Sequence, residues 1–360
     1  MTELEQIILQ AQDAYYNGTP LMSDADFDEL YDKLIAEQPD SEILKRVGID
    51  NSDGFEKVNH KITMGSQNKA NTLPEMEKWL KKINGNIVAT HKMDGASICL
   101  TYEKGKLVDA VTRGNAVTGD RITSNAMKMD FPKVLKEEVD CIVRGEVLLS
   151  KVNKDKFYPE AANCRNQASG LMKRLDGEGS EHLDVIVYEL FGDAAKATQA
   201  ENLEWLENQG FTVADWEYIC DPTAQKCMDL LNFTFSEEEK AMRNYDIDGI
   251  VFKQDNIDYE DLKKVRSDTQ IALKPPREKY ITTIKDIEWS LSDGTYTPIA
   301  IVEGLVIAGT FVQRASLSNV DMLEKLEIEI GDQVEIIKAG LIIPKVTANV
   351  SRNKKLEKYV

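Results

Sequence analysis

Lysines and carboxylates, rather than histidines, must carry any chemistry this sequence performs. Only His60, His91 and His182 are present, too few and too scattered to supply a histidine-centred acid–base or nucleophile mechanism. The chain has no P-loop, no dinucleotide fingerprint after a strand, no His-Glu-x-x-His and no nucleophile elbow. What recurs instead is a charged side chain on or at the end of an apolar, strand-like run, often beside a glycine. Thr90-His91-Lys92-Met93-Asp94-Gly95 is the first, followed by Val143-Arg144-Gly145-Glu146, by Asp246-Ile247-Asp248-Gly249-Ile250-Val251-Phe252-Lys253, and by Ile271-Ala272-Leu273-Lys274-Pro275. A lysine becomes a nucleophile only when neutral, which requires desolvation or nearby positive charge to pull its pKa down from ~10.4. Lys92, just past a strand end and beside Gly95, which lets a ligand approach closely, has such a setting. Any one of these motifs alone reads as solvated charge at a strand end; their ordered recurrence does not.

The elements that must position them change character along the chain. Leu4, Ile7, Ile8, Ala11 and Tyr15 follow helical spacing, stopped by Asn17-Gly18-Thr19-Pro20. Ser23 and Asp26 resemble a capping box for a second helix bearing Phe27, Leu30, Tyr31 and Leu34. Thr72 and Glu75, with Pro74, predict a helix over 73–84 that buries Met76, Trp79, Leu80 and Ile83. From Ile87 the pattern turns to strands: 87–90, 97–103, 106–112, 141–149, 184–190 and 249–253, with a helix near 202–208 closed by Gly210. That mixture is α+β rather than a regular βαβ alternation. After Pro275-Pro276 only short strands remain, at 304–308, 311–313, 333–337 and 341–346, which suits a small barrel.

Composition narrows the class. The 360 residues carry 44 Lys and Arg against 62 Asp and Glu, a formal charge of −18. Residues 1–60 hold 14 acids against 4 bases, a balance of −10. Between Arg144 and Arg174, seven bases face three acids, a balance of +4, so a basic face can exist inside an acidic total because screening limits each charge to about 10 Å. No run of about 18 apolar residues and no basic, apolar leader is present, so the chain is expected to be cytoplasmic and away from membranes. Cys99, Cys141, Cys164, Cys220 and Cys227 form no Cys-x-x-Cys pair; reduced, mostly buried thiols and no zinc are expected.

The order of these motifs, with Tyr188-Glu189-Leu190-Phe191-Gly192 between the second and third, resembles the covalent nucleotidyltransferases: DNA ligases, RNA ligases and capping enzymes. It narrows to a resemblance to NAD-dependent DNA ligases through Tyr15-Tyr16, Pro20 and Ser23-Asp24-Ala25-Asp26-Phe27-Asp28. Thr112-Arg113-Gly114, Thr118-Gly119-Asp120, Ile122-Thr123-Ser124-Asn125, Asn163-Cys164-Arg165-Asn166, Arg314-Ala315-Ser316-Leu317-Ser318-Asn319 and Ala339-Gly340-Leu341-Ile342-Ile343-Pro344 extend it. The resemblance covers essentially the whole chain. It implies an α+β multidomain fold: a helical NMN-recognition domain over 1–62, an adenylation domain of antiparallel sheets with helices over 63–280, and an OB-fold barrel over 281–360.

It also implies an activity. Neutral Lys92 attacks the AMP phosphorus of NAD and expels NMN; AMP then passes to the 5′-phosphate of a nick in duplex DNA, and the 3′-hydroxyl displaces it. Lys253 and Lys274 would contact the reacting phosphate and help depress the pKa of Lys92. Glu146 would accept from ribose or from water on Mg2+ (or Mn2+), with Asp94 and Asp248 as neighbouring carboxylates. Arg113 would lie against the nucleotide, Arg165 near the nick phosphate, and Lys173 where DNA-contacting arginine is usual. Tyr15, Tyr16, Asp24, Phe27 and Asp28 would grip NMN, aromatic faces against the cationic ring. Ser66 and Gln67 would approach adenine.

Thr90 stands where the family usually has an adenine-reading Glu, and Phe27 where it has a Tyr. The turn between Tyr16 and Pro20 is one residue short. The chain ends at Val360, before the zinc, helix-hairpin-helix and BRCT modules of bacterial relatives, so a reduced, monomeric form, viral in origin or an excised core, is expected. The competing readings are an ATP-dependent ligase or capping-type transferase, which has no need of the Tyr15–Asp28 unit, and a catalytically silent OB-fold nucleic-acid binder, against which Lys92, Glu146, Lys253 and Lys274 all speak.

Overall fold

The computed structural model describes residues 2–16, 30, 33, 34, 38, 41, 43, 54–275, 279–292, 295–307, 310–337 and 344–355. Residues 12–19 and 42–275 make one compact unit, and residues 1–11, 20–41 and 276–360 the other.

The first unit contains strands β1 (Lys57–Asn59), β2 (Ser66–Ala70), β3 (Ile87–Met93), β4 (Ala96–Glu103), β5 (Lys106–Thr112), β6 (Thr118–Asp120), β7 (Cys141–Leu149), β8 (Leu183–Gly192), β9 (Thr212–Val213), β10 (Trp216–Ile219), β11 (Ile247–Gln254) and β12 (Arg266–Leu273). They form two five-stranded sheets, in the orders β10-β3-β11-β12-β2 and β5-β4-β7-β8-β9, and a β1-β6 ribbon. The β12–β2 and β8–β9 pairings are parallel; the others are antiparallel.

Strand alternation assigns each sheet an apolar outer face and a polar inner one. Ile87 and Ala89 of β3, Ile250 and Phe252 of β11, and Ile271 and Leu273 of β12 share a core with helices Leu73–Leu80 and Ala224–Thr234. Ile98, Leu100, Val143, Val147 and Leu190 of the other sheet cluster with helices Cys164–Met172 and Gln199–Gln209. Each of the larger of these side chains contributes about 1.5–3 kcal/mol when fully buried. Met93, Leu148 and Ile186 form a small cluster joining the two sheets. Two helix ends follow their sequence signals: the Glu75 carboxylate accepts from the Thr72 amide at 3.0 Å, and Gly210 closes Gln199–Gln209 at φ 96°; the helix expected over 73–84 ends at Leu80, before Asn84-Gly85.

Two irregularities aim side chains at the space between the sheets. The β3–β11 register jumps between Ile247 and Gly249, leaving Asp248 without an opposite residue. On β8, Arg144 pairs with Glu189 while Gly145 pairs with Val187, so Tyr188 is the extra residue. Bulges of this kind re-aim side chains beside functional sites.

The motif glycines have a packing reason different from the expected ligand approach. A Cβ on Gly95 would meet the Val147 carbonyl oxygen at 2.5 Å, and one on Gly249 the Leu273 carbonyl oxygen at 2.5 Å. Neighbouring backbone, not a ligand, occupies the space that these glycines leave open. Lys92 likewise lies inside β3, which runs on to Met93, rather than past its end.

The second unit holds β13 (Lys279–Ser292), β14 (Thr295–Ile307), β15 (Thr310–Ser316), β16 (Gln333–Ile337), β17 (Lys345–Asn349) and β18 (Lys354–Lys355), in the order β15-β14-β13-β16-β17-β18. The Ser316–Lys345 pairing of β15 with β17 closes five of them into a barrel around Ile284, Val302, Leu326, Val334 and Val346. Only short strands were expected here, yet β13 spans 14 residues and β14 13. Register shifts at Ile284/Asp286 and Ile301/Leu305 break the alternation, which makes each long, bent strand read as short runs. Helix Glu3–Tyr16 matches its predicted extent and buries Ile8 and Ala11. Cys99, Cys141, Cys164 and Cys227 are buried free thiols; Cys220 is exposed. Among the described residues, no helix is long and apolar enough to cross a membrane.

Gly249→Ala tests the backbone contact under the site. The added methyl must part β11 from β12, and stability should fall by about 1–3 kcal/mol, seen as a lower urea midpoint at unchanged slope. An unchanged midpoint contradicts the close approach.

Candidate active site

Lys92 pairs across β3–β11 with Gly249, and its Nζ lies 2.9 Å from Asp248 Oδ1. The other oxygen of that carboxylate, Oδ2, lies 3.0 Å from Lys274 Nζ, just past the end of β12. Asp248 thus joins lysines supplied from the two strands that flank its own. Burial disfavours its charge, but the two ammonium groups outweigh that and hold the carboxyl at about 2. Asp248 was expected as a carboxylate neighbour of Glu146; the bulge sets it between Lys92 and Lys274.

Glu146 on β7 faces the same space. Its Oε1 accepts from Ser97 Oγ at 2.7 Å, its cross-strand partner on β4, and from the Tyr188 hydroxyl at 3.4 Å. Burial pushes the Glu146 carboxyl up, and the Ser97 bond with nearby Lys92, Arg165 and Arg113 offsets this only in part. Asp94 is raised by burial too, although Arg165 Nη1 lies 2.7 Å from its Oδ1. Arg165 sits in the first turn of Cys164–Met172, whose cap is Asn163. Lys92, Asp94, Glu146, Arg165, Asp248 and Lys274 are therefore brought together.

Lys253 is not part of that group. It is 3% exposed, donates to Glu189 Oε1 at 2.9 Å and to the Tyr188 carbonyl at 3.1 Å, and lies 5.2 Å from the Tyr188 ring. Glu189 Oε2 accepts from Arg144 Nη1 at 3.0 Å, and Arg144 Nη2 donates to the carbonyls of Thr63 at 2.7 Å and Ile62 at 3.3 Å. Burial opposes the Glu189 charge, but Lys253 and Arg144 together hold its carboxyl below the usual range. This network crosses from one sheet to the other and pins the segment leading into β2. Removing one member of a buried ion pair costs roughly 3–5 kcal/mol by stranding the others. Glu189 had no assigned role; a charge inside the apolar run Val185–Phe191 was the signal, since a buried carboxylate requires partners.

Beside this network a polar cleft, open to solvent, is lined by Ser66, Gln67, Ser97, Arg113, Arg144, Tyr188 and Gln270, among others. Ser66, Gln67 and Arg113, expected near the nucleotide, therefore share it. Thr90 lies on the Lys92 face of β3 but is 2% exposed, its hydroxyl 3.4 Å from the Val251 carbonyl. Lys173 follows Cys164–Met172 and lies 3.7 Å from Asp120, which also pairs with Lys57. Tyr15 and Tyr16 fall in the last turn of Glu3–Tyr16; their side chains, with Asp24, Phe27 and Asp28, lie outside the described residues. Among the described residues, no cluster of three or more His, Cys, Asp or Glu could hold a metal.

A lysine-bearing strand flanked by a second lysine, a buried acid and a polar cleft makes a site suited to an anionic ligand. The family model for the NAD-dependent DNA ligase adenylation domain matches residues 52–264, and that for the NAD-dependent DNA ligase OB-fold domain matches 281–358. The chain belongs to the NAD-dependent DNA ligase family. It is 40% identical over 372 residues to the DNA ligase of Treponema denticola, covering 96% of this chain and 56% of that protein. It is 38% identical over 368 residues to the DNA ligase of Treponema pallidum, covering 97% of this chain and 44% of that one, and 32% identical over 383 residues to that of Sorangium cellulosum, covering 97% and 56%. The chain spans about half the length of these relatives.

The lowered pKa of Asp248 fixes a pH dependence. Because the folded value lies below the ordinary 3.8, its stabilisation is complete above pH ~4 and is lost as pH falls through about 2. The difference corresponds to about 2 kcal/mol. Asp248→Asn should lose that amount at neutral pH and unfold with a flatter stability profile between pH 4 and 2; an unaltered profile contradicts the bridge.

Proposed function

We propose that the chain seals 5′-phosphate/3′-hydroxyl nicks in duplex DNA with NAD as adenylate donor. One observation carries this reading: Lys92 and Lys274 converge on Asp248, beside Glu146, in a chain of this family. Lys92, its ammonium proton given up to water, attacks the AMP phosphorus; a P–N bond forms, the P–O bond to NMN breaks and NMN leaves, and a proton of the attacking nitrogen passes to water. The incoming phosphates compete with the Asp248 carboxylate for both lysines, which frees Lys92 from its ion pair while Lys274 gains a phosphate partner. An oxygen of the nick 5′-phosphate attacks the adenylate phosphorus and breaks the P–N bond, returning Lys92 as the amine; the 3′-hydroxyl then attacks the 5′-phosphate phosphorus, losing its proton and expelling AMP.

A divalent cation suits the donors present. Burial already penalises the charge on Glu146 and Asp94, a strain that a cation relieves, and Mg2+ needs only one or two carboxylates besides phosphate and water oxygens. Glu146 would hold it through water, and it would supply charge neutralisation at the phosphates. In this reading Arg165 bridges Asp94 to the nick phosphate, Lys173 contributes to DNA contact, and Lys253 positions Glu189 and Tyr188 at the cleft. The domains are 1–62 for NMN, 63–280 for adenylation and 281–360 as OB fold. Tyr15, Tyr16, Asp24, Phe27 and Asp28 hold the nicotinamide end.

The test is a nicked duplex with a labelled 5′-phosphate, incubated with the full chain, Mg2+ and either NAD or ATP. Joining with NAD alone, with release of NMN and AMP and loss in Lys92→Ala, is the expected result. Joining with ATP alone contradicts it.

A further inference from the structure

The cleft contains a buried hydrogen-bonding deficit that the chemistry at Lys92 does not use. Gln270 on β12 is 7% exposed, yet its Oε1 has no partner among the described residues. Arg144 Nε, lining the same cleft and also buried, donates to nothing among them. A buried polar atom left unpaired costs about 1–3 kcal/mol, so an acceptor and a donor left open in one polar cleft mark a place where a ligand completes the network.

A ligand that completed both would offer an N–H to Gln270 and an acceptor to Arg144. The aromatic ring of Tyr188 lines the same cleft and can take a flat ring. Adenine presents an exocyclic amine next to a ring-nitrogen acceptor, and glutamine is a side chain that reads this edge. Hypoxanthine and guanine present a carbonyl oxygen where adenine has its amine, which sets acceptor against acceptor. Thr90, the sequence candidate for reading the base, is absent from the cleft lining, buried to 2% exposure and directed at the Val251 carbonyl.

The geometry points to Gln270 as the residue that selects adenine, its Oε1 accepting from the exocyclic amine of the adenylate donor. This rests on the reading that the cleft receives the AMP half of NAD. Neighbouring backbone supports the placement: Gln270 pairs with Lys253 across β12–β11, one residue pair along from the buried Phe252–Ile271 pair, and so lies on the inner, cleft-facing side of its sheet.

The experiment measures kcat/KM for adenylylation of the full chain with NAD and with nicotinamide hypoxanthine dinucleotide, in the wild type, Gln270→Leu and Gln270→Glu. The wild type should prefer NAD. Gln270→Leu should lower kcat/KM for NAD roughly tenfold and bring the ratio of the two donors towards one. Gln270→Glu keeps the acceptor and cannot turn an amide donor towards a carbonyl, so it should hold or widen the ratio. The ratio is unaffected by the fraction of misfolded protein, since that lowers both rates equally. Normal adenylylation with an unchanged ratio in Gln270→Leu overturns the assignment of Gln270 and leaves the ligase reading standing. Failure of the wild type to react with NAD at all overturns the ligase reading itself, and the assignment with it.

Discussion

A single carboxylate held between two ammonium groups organises this site. Asp248 can reach Lys92 and Lys274 together only because the strand that carries it gains one extra residue and lies between the strands carrying the lysines. Gly249 then keeps the sheet closed where the Leu273 carbonyl comes near. The carboxylate offsets the mutual repulsion of two positive charges held at short range. Lone lysines at this spacing would repel each other and spread apart.

The second constraint is the buried run from Lys253 through Glu189 to Arg144. It lies deeper than the Asp248 bridge and joins side chains of opposite sheets. Charges at 3–6% exposure remain ionised only because each finds partners: Glu189 has two cations, Lys253 adds a carbonyl, and Arg144 adds the carbonyls of Ile62 and Thr63. This network fixes the cleft walls. The lysines and carboxylates around Asp248 thus stand above a buried ionic network, with polar side chains such as Gln270 set by the strand register.

Much of this was legible in the sequence. Strands 106–112, 141–149 and 333–337 were readable residue for residue, because each is rich in apolar and β-branched residues and bounded by polar or glycine residues. The Lys92, Asp94, Glu146, Asp248 and Lys274 set was readable from its ordered recurrence. What escaped has identifiable physical causes. β2 and the long barrel strands lack clean alternation, since β2 is polar and part-buried and β13 and β14 are kinked. Lys253 appeared to belong with Lys92, because linear order cannot show that Glu189 on the facing sheet captures it. Gln270 carried no motif; only an acceptor buried without a partner reveals it. The motif glycines were visible, but their cause, a neighbouring backbone carbonyl, is a tertiary fact.

The central claim is that Lys92 is the amine that carries the adenylate. Peptide mapping by mass spectrometry of the chain trapped after reaction with NAD, before and after mild acid, tests it most directly. An AMP group on the peptide containing Lys92, lost in acid as a P–N bond should be, is the predicted result; an adduct on another residue, or one that survives acid as an ester would, contradicts it.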